Sequence, residues 1–271
     1  MIELIEKYLI GKHPDQTLCE DGIFINQHFA AVIDGVTSKS RQKRNRLTSG
    51  CHAKEIILNE LQQMPYDISP KGFFETLDHA LFTACNYKIP DNDICDWLRA
   101  CVIVYSDFYK QIWSVGDCKC MINDQLISSE KEIDTLLSKL RSFVIYHHLK
   151  YGNVEQDIST TDIGRDAIIP FLKMQLAFEN DYNTPWGYSV LNGHGFDMHG
   201  CKIYNVKSGD TIILASDGYP VLCDTLVSSE HELALMLNED PLCYKTFYST
   251  KGIVPENNSF DDRAYIKFFI K

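Results

Sequence analysis

Asp21, Asp34, Asp217 and Asp261 lie far apart in the chain, yet each stands at the edge of an apolar segment and beside a glycine or a second carboxylate. Acids placed that way on strand ends offer hard oxygen ligands from rigid positions, which is what metal-assisted hydrolysis needs. Mg2+ and Mn2+ take oxygen ligands in octahedral geometry and keep several waters, so two or three carboxylates and a backbone carbonyl suffice to hold an ion. One carboxylate shared between two such ions, about 3.5 to 4 Å apart, orients a bridging water as nucleophile while the ions polarise a phosphoryl oxygen. Glycine directly after the acid, as in Asp34-Gly35 and Asp217-Gly218, lets the backbone turn tightly. Asp-Gly is also among the commonest turn dipeptides, Asp261-Asp262 reads equally as a solvated strand start, and Gly116-Asp117 as a hairpin corner. Composition and spacing alone therefore leave a metal hydrolase as a minority reading.

The elements that must position these acids are legible in the hydrophobic pattern. Ile23-Phe24-Ile25, a turn at Asn26-Gln27, and Phe29 to Ile33 predict a hairpin running into Asp34-Gly35. A helix follows, capped near Thr48 or Ser49, with Ala53, Ile56, Ile57 and Leu61 on its apolar face and Lys54, Glu55, Asn59 and Glu60 opposite. Pro65 and Pro70 separate it from a second amphipathic stretch carrying Phe73, Phe74, Leu77 and Leu81. A second hairpin is predicted at Ala100–Tyr105 and Gln111–Val115. Helices are predicted from Glu130 to Leu149, with Ile133, Leu136, Leu137 and Leu140 buried, and from Ile168 to Phe178, with Pro170 in its first turn. Strand Thr211–Ala215 ends in Ser216-Asp217-Gly218, a helical stretch runs through Leu226 to Leu237, and Ala264–Ile270 is a last strand entered from Asp261-Asp262. Hairpin-like pairs spread from one end of the chain to the other argue for antiparallel sheets covered by helices, an α+β architecture, in one domain over 1–271.

The 271 residues are 45% hydrophobic and 23% charged, enough to bury a large core, and carry a formal net charge of -11. That balance disfavours nucleic acid and anionic membrane as partners. No run has the roughly 20 apolar residues of a membrane span, and Met1 to Ile10 does not read as a signal peptide. The ten cysteines are dispersed, and Cys101, Cys201 and Cys223 lie in or beside apolar runs, so a reducing cytoplasm is the expectation rather than a disulfide scaffold. Cys118-Lys119-Cys120 has no partner pair for zinc and fits strand alternation.

Taken together, Glu20-Asp21-Gly22-Ile23-Phe24-Ile25, Phe29-Ala30-Ala31-Val32-Ile33-Asp34-Gly35, Ser114-Val115-Gly116-Asp117, Ile213-Leu214-Ala215-Ser216-Asp217-Gly218 and Ser259-Phe260-Asp261-Asp262 resemble, in order, the signature series of the metal-dependent serine/threonine protein phosphatases of the 2C type, bacterial-like and divergent. The resemblance spans nearly the whole chain. It implies a four-layer α-β-β-α sandwich, two central antiparallel sheets flanked by helices, with two Mn2+ or Mg2+ ions in a cleft at one edge. Carried over residue by residue, it implies that Asp34 bridges the ions and that the Gly35 carbonyl and Glu20 serve the second. Asp217 and Asp261 complete the shell of the first, and Asp21 orients a water. Asp262 takes part by hydrogen bonding, and Asp117 approaches an additional, weaker ion.

Three departures concern phosphate capture. Where such phosphatases carry a phosphate-gripping arginine shortly before the Glu-Asp pair, this chain has Gln16, with Lys12 and His13 a little earlier. Val36 follows Asp34-Gly35 where animal-type members carry a histidine general acid, a residue bacterial-type members also lack. Leu98-Arg99-Ala100-Cys101 replaces a small Gly-Ser/Thr-Thr strand start. The basic run containing Lys39, Arg41, Lys43, Arg44 and Arg46 is either a solvated loop or a replacement for the arginine, and His52 is a structural histidine or a candidate general acid. The loop Asn192-Gly193-His194-Gly195 reads as packing rather than phosphate binding, with no Walker pattern. The expected activity is hydrolysis of phosphoserine or phosphothreonine in a phosphoprotein, in signalling. The alternatives are a small-metabolite phosphatase, or a catalytically weak module that recognises a phosphorylated partner. The sequence identifies neither the substrate nor an oligomer.

Overall fold

Strand β3 (Phe29–Gly35) is buried on both faces, because it lies between a helical layer and a second sheet. Its alternation sends Phe29, Ala31 and Ile33 outward to the helices and Ala30 and Val32 inward to the facing sheet. In this computed structural model, which describes residues 1–39, 47–86, 94–128, 131–152 and 154–271, two five-stranded antiparallel sheets are packed face to face. The strands in chain order are β1 (Ile2–Ile10), β2 (Asp21–Ile25), β3, β4 (Ala100–Ser106), β5 (Gln111–Val115), β6 (Lys119–Ile122), β7 (Gln125–Ile127), β8 (Lys202–Asn205), β9 (Thr211–Ala215) and β10 (Arg263–Ile270). One sheet has the order β2-β3-β4-β5-β8, the other β1-β10-β9-β6-β7.

The helices are α1 (Ser49–Leu61), α2 (Pro70–Asn86), α3 (Glu132–Lys150), α4 (Glu155–Thr160), α5 (Ile163–Met174) and α6 (Leu226–Glu239). Ala53, Ile57 and Leu61 of α1 and Phe73, Phe74, Leu77 and Leu81 of α2 pack with Phe29, Val102, Val104 and Trp113 on the outer face of the first sheet. Between the sheets, Ala30, Val32, Ile103, Tyr105 and Ile112 meet Ile212, Leu214, Ile266 and Phe268. On the far side, Tyr219, Leu222 and Leu226 cover Met121, Ile213 and Tyr265. This is the expected four-layer sandwich.

Several local details depart from the sequence reading. Ile2–Ile10 is an edge strand paired with β10, although its acid and apolar alternation had suggested only the absence of a leader. Pro70 opens α2 instead of merely separating it from α1, as its missing N–H allows. Helix α5 begins five residues before the predicted Ile168, because Asp162 caps it through Arg165 N; Pro170 is therefore in its interior. Leu136, expected in the buried stripe of α3, is exposed. Lys54, expected on the polar face of α1, is buried and donates to the Cys19 carbonyl at 2.8 Å. No cysteine is disulfide-bonded among the described residues.

Helices α3 and α5 are joined to the loop after α6 by Arg141, which has no exposed surface. Its guanidinium donates to Asp162 Oδ2 at 2.6 and 2.9 Å and to the carbonyls of Leu242, Cys243 and Ser249 at 2.9 to 3.1 Å. Removing it strands Asp162 Oδ2 and the carbonyls of Leu242, Cys243 and Ser249. Arg141→Ala is expected to cost about 3 to 5 kcal/mol, read as a lower urea midpoint, and Arg141→Lys recovers only part because an ammonium cannot reproduce the fork.

Candidate metal centre

The register brings the acids together. β2 and β3 pair so that Asp21 stands opposite Asp34, and β4 places Cys101 on the other side of Asp34. Gly35 N donates to the Glu20 carbonyl at 3.0 Å, fixing the Glu20-Asp21 step against the end of β3. β5 runs into Gly116-Asp117, and Gly116 has φ of 97°, a turn that favours glycine. β9 runs into Ser216-Asp217 and Asp261-Asp262 leads into β10, while Ser216 N donates to Ala264 O at 3.0 Å and ties the end of β9 to the start of β10.

Asp34, Asp117 and Asp217 converge, with one carboxylate oxygen of each within 4.8 Å of the others. Burial pushes the Asp34 carboxyl well up, and Asp217, Asp21, Asp261 and Asp117 add like-charge repulsion. Asp217 is pushed up to about 6 by burial and then by Asp261 and Asp117. Burial works against the ionised form of Asp117 too, yet Lys131, at 2.6 Å, holds its pKa below the ordinary carboxylate value. Asp21 is 2% exposed and its Oδ2 has no hydrogen-bond partner, an arrangement that costs free energy unless something else satisfies it. Burial raises its pKa well above the ordinary value as well. Three converging carboxylates and an orphaned fourth fit one hard divalent cation with its waters.

Glu20 and Asp261 are surrounded differently. Glu20 Oε1 accepts from Thr48 Oγ1 at 2.6 Å, and Oε2 accepts from Thr37 Oγ1 at 2.5 Å and Lys12 Nζ at 3.2 Å. Asp261 Oδ1 accepts from Lys12 Nζ at 3.1 Å and from Asp262 N at 3.0 Å, and its Oδ2 forms an ion pair with Lys251. Burial opposes ionisation here too, but Lys251 and Lys12 hold the Asp261 pKa well below the ordinary range. Asp262 accepts from Lys12 N at 2.7 Å, Lys12 Nζ at 3.0 Å and Glu20 N at 3.2 Å, so it works by hydrogen bonding between the end of β1 and the start of β2. Gly35 packs against the first turn of α1: a Cβ built at Gly50 would stand 2.3 Å from the Gly35 carbonyl oxygen and 2.5 Å from Glu20 Oε1. These two glycines are required by close approach.

Of the expected phosphate contacts, Lys12 is in the centre, and its three N–H groups are directed at Glu20, Asp261 and Asp262. His13 accepts from Asp15 N at 3.0 Å within the turn after β1. Arg41, Lys43 and Arg44 lie outside the described residues. His52 lies in the first turn of α1 and is half-buried. The Asn192-to-Gly195 loop is filled by the protein itself, since Asp78 accepts from the amides of Asn192, Gly193 and Gly195 at 2.8 to 3.1 Å. Sequence reasoning passed over Lys131 and Lys251, both isolated lysines outside any motif, and Arg165, near Lys251. Burial pushes Lys39 down to about 7, and Arg165 and Lys251 add repulsion, so these three cations share one neighbourhood.

No family model and no curated protein matches the sequence. Solved structures match along nearly the whole chain. The serine/threonine phosphatase Stp1 from Staphylococcus aureus is 16% identical with a TM-score of 0.51, covering 100% of this chain and 96% of that one. The catalytic domain of the serine/threonine phosphatase PstP, solved with two manganese ions, is 12% identical with a TM-score of 0.50, covering both chains fully. A bacterial serine phosphatase is 14% identical with a TM-score of 0.50, over 98% of each chain. Such identities speak for architecture, which agrees with the strand order and layers above. This chain has the fold of the metal-dependent serine/threonine protein phosphatases of the 2C type.

Proposed function

We propose that the chain, acting as one domain, is a phosphatase that hydrolyses phosphoserine or phosphothreonine in a protein substrate with Mn2+ or Mg2+. The observation that carries this is the convergence of Asp34, Asp117 and Asp217 beside the unpartnered Asp21 oxygen. A divalent ion held there would supply the charge needed to make water a nucleophile near neutral pH and to polarise a phosphoryl oxygen. Asp34, Asp117 and Asp217 would hold it from three different strand ends, and Asp21 Oδ2 would accept a hydrogen bond from a water in the site. Lys39 and Arg165 would receive the substrate's phosphate beside Lys251, which is ion-paired with Asp261, because an anion there relieves the repulsion that Arg165 and Lys251 exert on Lys39. Arg165 is anchored for that role through Nη1 on the Thr250 carbonyl at 2.7 Å.

Turnover of a phosphoserine peptide should require Mn2+ or Mg2+ and stop on chelation. Lys39→Ala and Arg165→Ala should each raise KM by roughly 10-fold or more, the loss of one charge-assisted hydrogen bond, with a smaller effect on kcat. Tight peptide binding without metal-dependent turnover would instead identify a recognition module, and turnover confined to small phosphate esters would identify a metabolite phosphatase.

A further inference from the structure

The fold's metal-bound relative suggests a centre with two ions, yet Glu20, the carboxylate expected to serve only the second ion, is already engaged. Glu20 carries three donors on its two oxygens, from Thr37, Thr48 and Lys12. The first turn of α1 crowds the Gly35 carbonyl, since a Cβ built at Gly50 would stand 2.3 Å from its oxygen. Lys12 Nζ lies between Glu20 and Asp261, two carboxylates from opposite ends of the chain. Its position is fixed by more than its own ion pairs, because Lys12 N donates to Asp262 at 2.7 Å and Lys12 O accepts from Asn258 N at 2.8 Å.

Resting on the phosphatase reading above, we infer that the Lys12 ammonium takes the place of the second metal ion: the centre binds one divalent cation, at Asp34, Asp117 and Asp217, with a lysine built in where a second ion would reach Glu20, and the same ammonium also holds Asp261. An ammonium offers three directional donors and one positive charge, and here all three donors are used on carboxylates. It neutralises Glu20 and Asp261 without demanding octahedral oxygen ligands or holding waters of its own. Lys251 completes the neutralisation on the other Asp261 oxygen. The three-acid cluster is different, because Lys131 forms its ion pair with Asp117, while burial and repulsion from the neighbouring acids outweigh the more distant lysines at Asp217 and act on Asp34.

The test is Mn2+ titration of the full chain, followed by calorimetry for stoichiometry and by electron paramagnetic resonance for coupling between ions. The wild-type chain should bind one Mn2+ with an uncoupled spectrum, and Lys12→Met should bind two, with the exchange coupling expected of ions about 3.5 to 4 Å apart. A coupled pair in the wild type overturns the inference, as does Lys12→Met remaining at one. Should Lys12→Met fail to fold, Glu20→Gln decides: Mn2+ affinity within about threefold of wild type supports the inference, and a loss of about tenfold or more, which is 1.4 kcal/mol, makes Glu20 a ligand and overturns it. A wild-type chain that binds no Mn2+ overturns the three-acid site itself, an outcome distinct from binding two.

Discussion

Asp34→Asn should lower metal-dependent phosphopeptide turnover by at least about 10³-fold while leaving the metal-free protein as stable as the wild type or more so. The two effects have one origin. Asp34 is held at the end of β3 between Asp21 and Cys101, and its ionised form is opposed by burial and by four neighbouring carboxylates. An amide of nearly the same shape removes that repulsion and removes a hard anionic ligand at the same step. Loss of the ion's contribution to the transition state, several kcal/mol, gives the rate effect, because about 1.4 kcal/mol is tenfold in rate. Asp217→Asn should repeat the pattern, since its carboxyl is pushed up to about 6 by the same causes. Steady-state kinetics paired with urea unfolding in chelator reads both halves. A residue that served only packing would lose stability and activity together, so a variant that is both inactive and markedly destabilised would count against the site.

The sequence showed the acids more clearly than their counter-charges, for a physical reason. A strand-end carboxylate beside a glycine leaves a local mark, because the apolar run before it and the turn after it are neighbours in sequence. The hairpin from Asp21 to Gly35, the strands ending at Asp217 and starting after Asp262, and the Thr48 cap of α1 were all readable in that way. Lys131 and Lys251 leave no such mark. Lys251 meets Asp261 through a loop, and Lys131 precedes a helix whose start says nothing about Asp117. The pairing of Lys12 with Asp261 joins residues 249 positions apart, and only the β1 to β10 register brings them together. Edge strand β1 was missed for a related reason: it is half exposed, and half-buried alternation acquires meaning only once a partner strand is known. The departure at α5 came from reading Pro170 as a first-turn residue, whereas Asp162 caps the helix and tertiary packing of Ile168 and Leu172 against Leu137 tolerates an interior proline.

Mn2+ should stabilise the protein strongly near neutral pH and progressively less as the pH falls below about 6. The sign follows from the direction of the shifts. Asp217, Asp34 and Asp21 have folded-state pKa values raised above the unfolded ones, with Asp217 near 6, so the metal-free fold binds more protons than the unfolded chain. Their contribution to stability is fully present below the unfolded carboxylate pKa and is lost as the pH rises through the folded values. Asp261, held low by Lys251 and Lys12 against the effect of burial, has the opposite sign: its contribution is present at neutral pH and lost only in stronger acid. Between about pH 5 and 7.5 the raised group therefore dominates, and the metal-free melting temperature should fall as the pH rises. A divalent ion replaces those protons. At 100 times its dissociation constant it contributes about 2.7 kcal/mol, which for a chain of this size is a rise of roughly 5 to 10 °C at about pH 7.5. Below about pH 6 each proton that must be displaced weakens binding close to tenfold per pH unit, and the Mn2+ shift should shrink toward zero near about pH 5. Differential scanning fluorimetry across that range, with Mn2+ and with chelator, measures both curves. A Mn2+ shift that stayed constant over the range would mean the ion binds groups other than Asp34 and Asp217, because no site built on these carboxylates can be indifferent to the protons they bind.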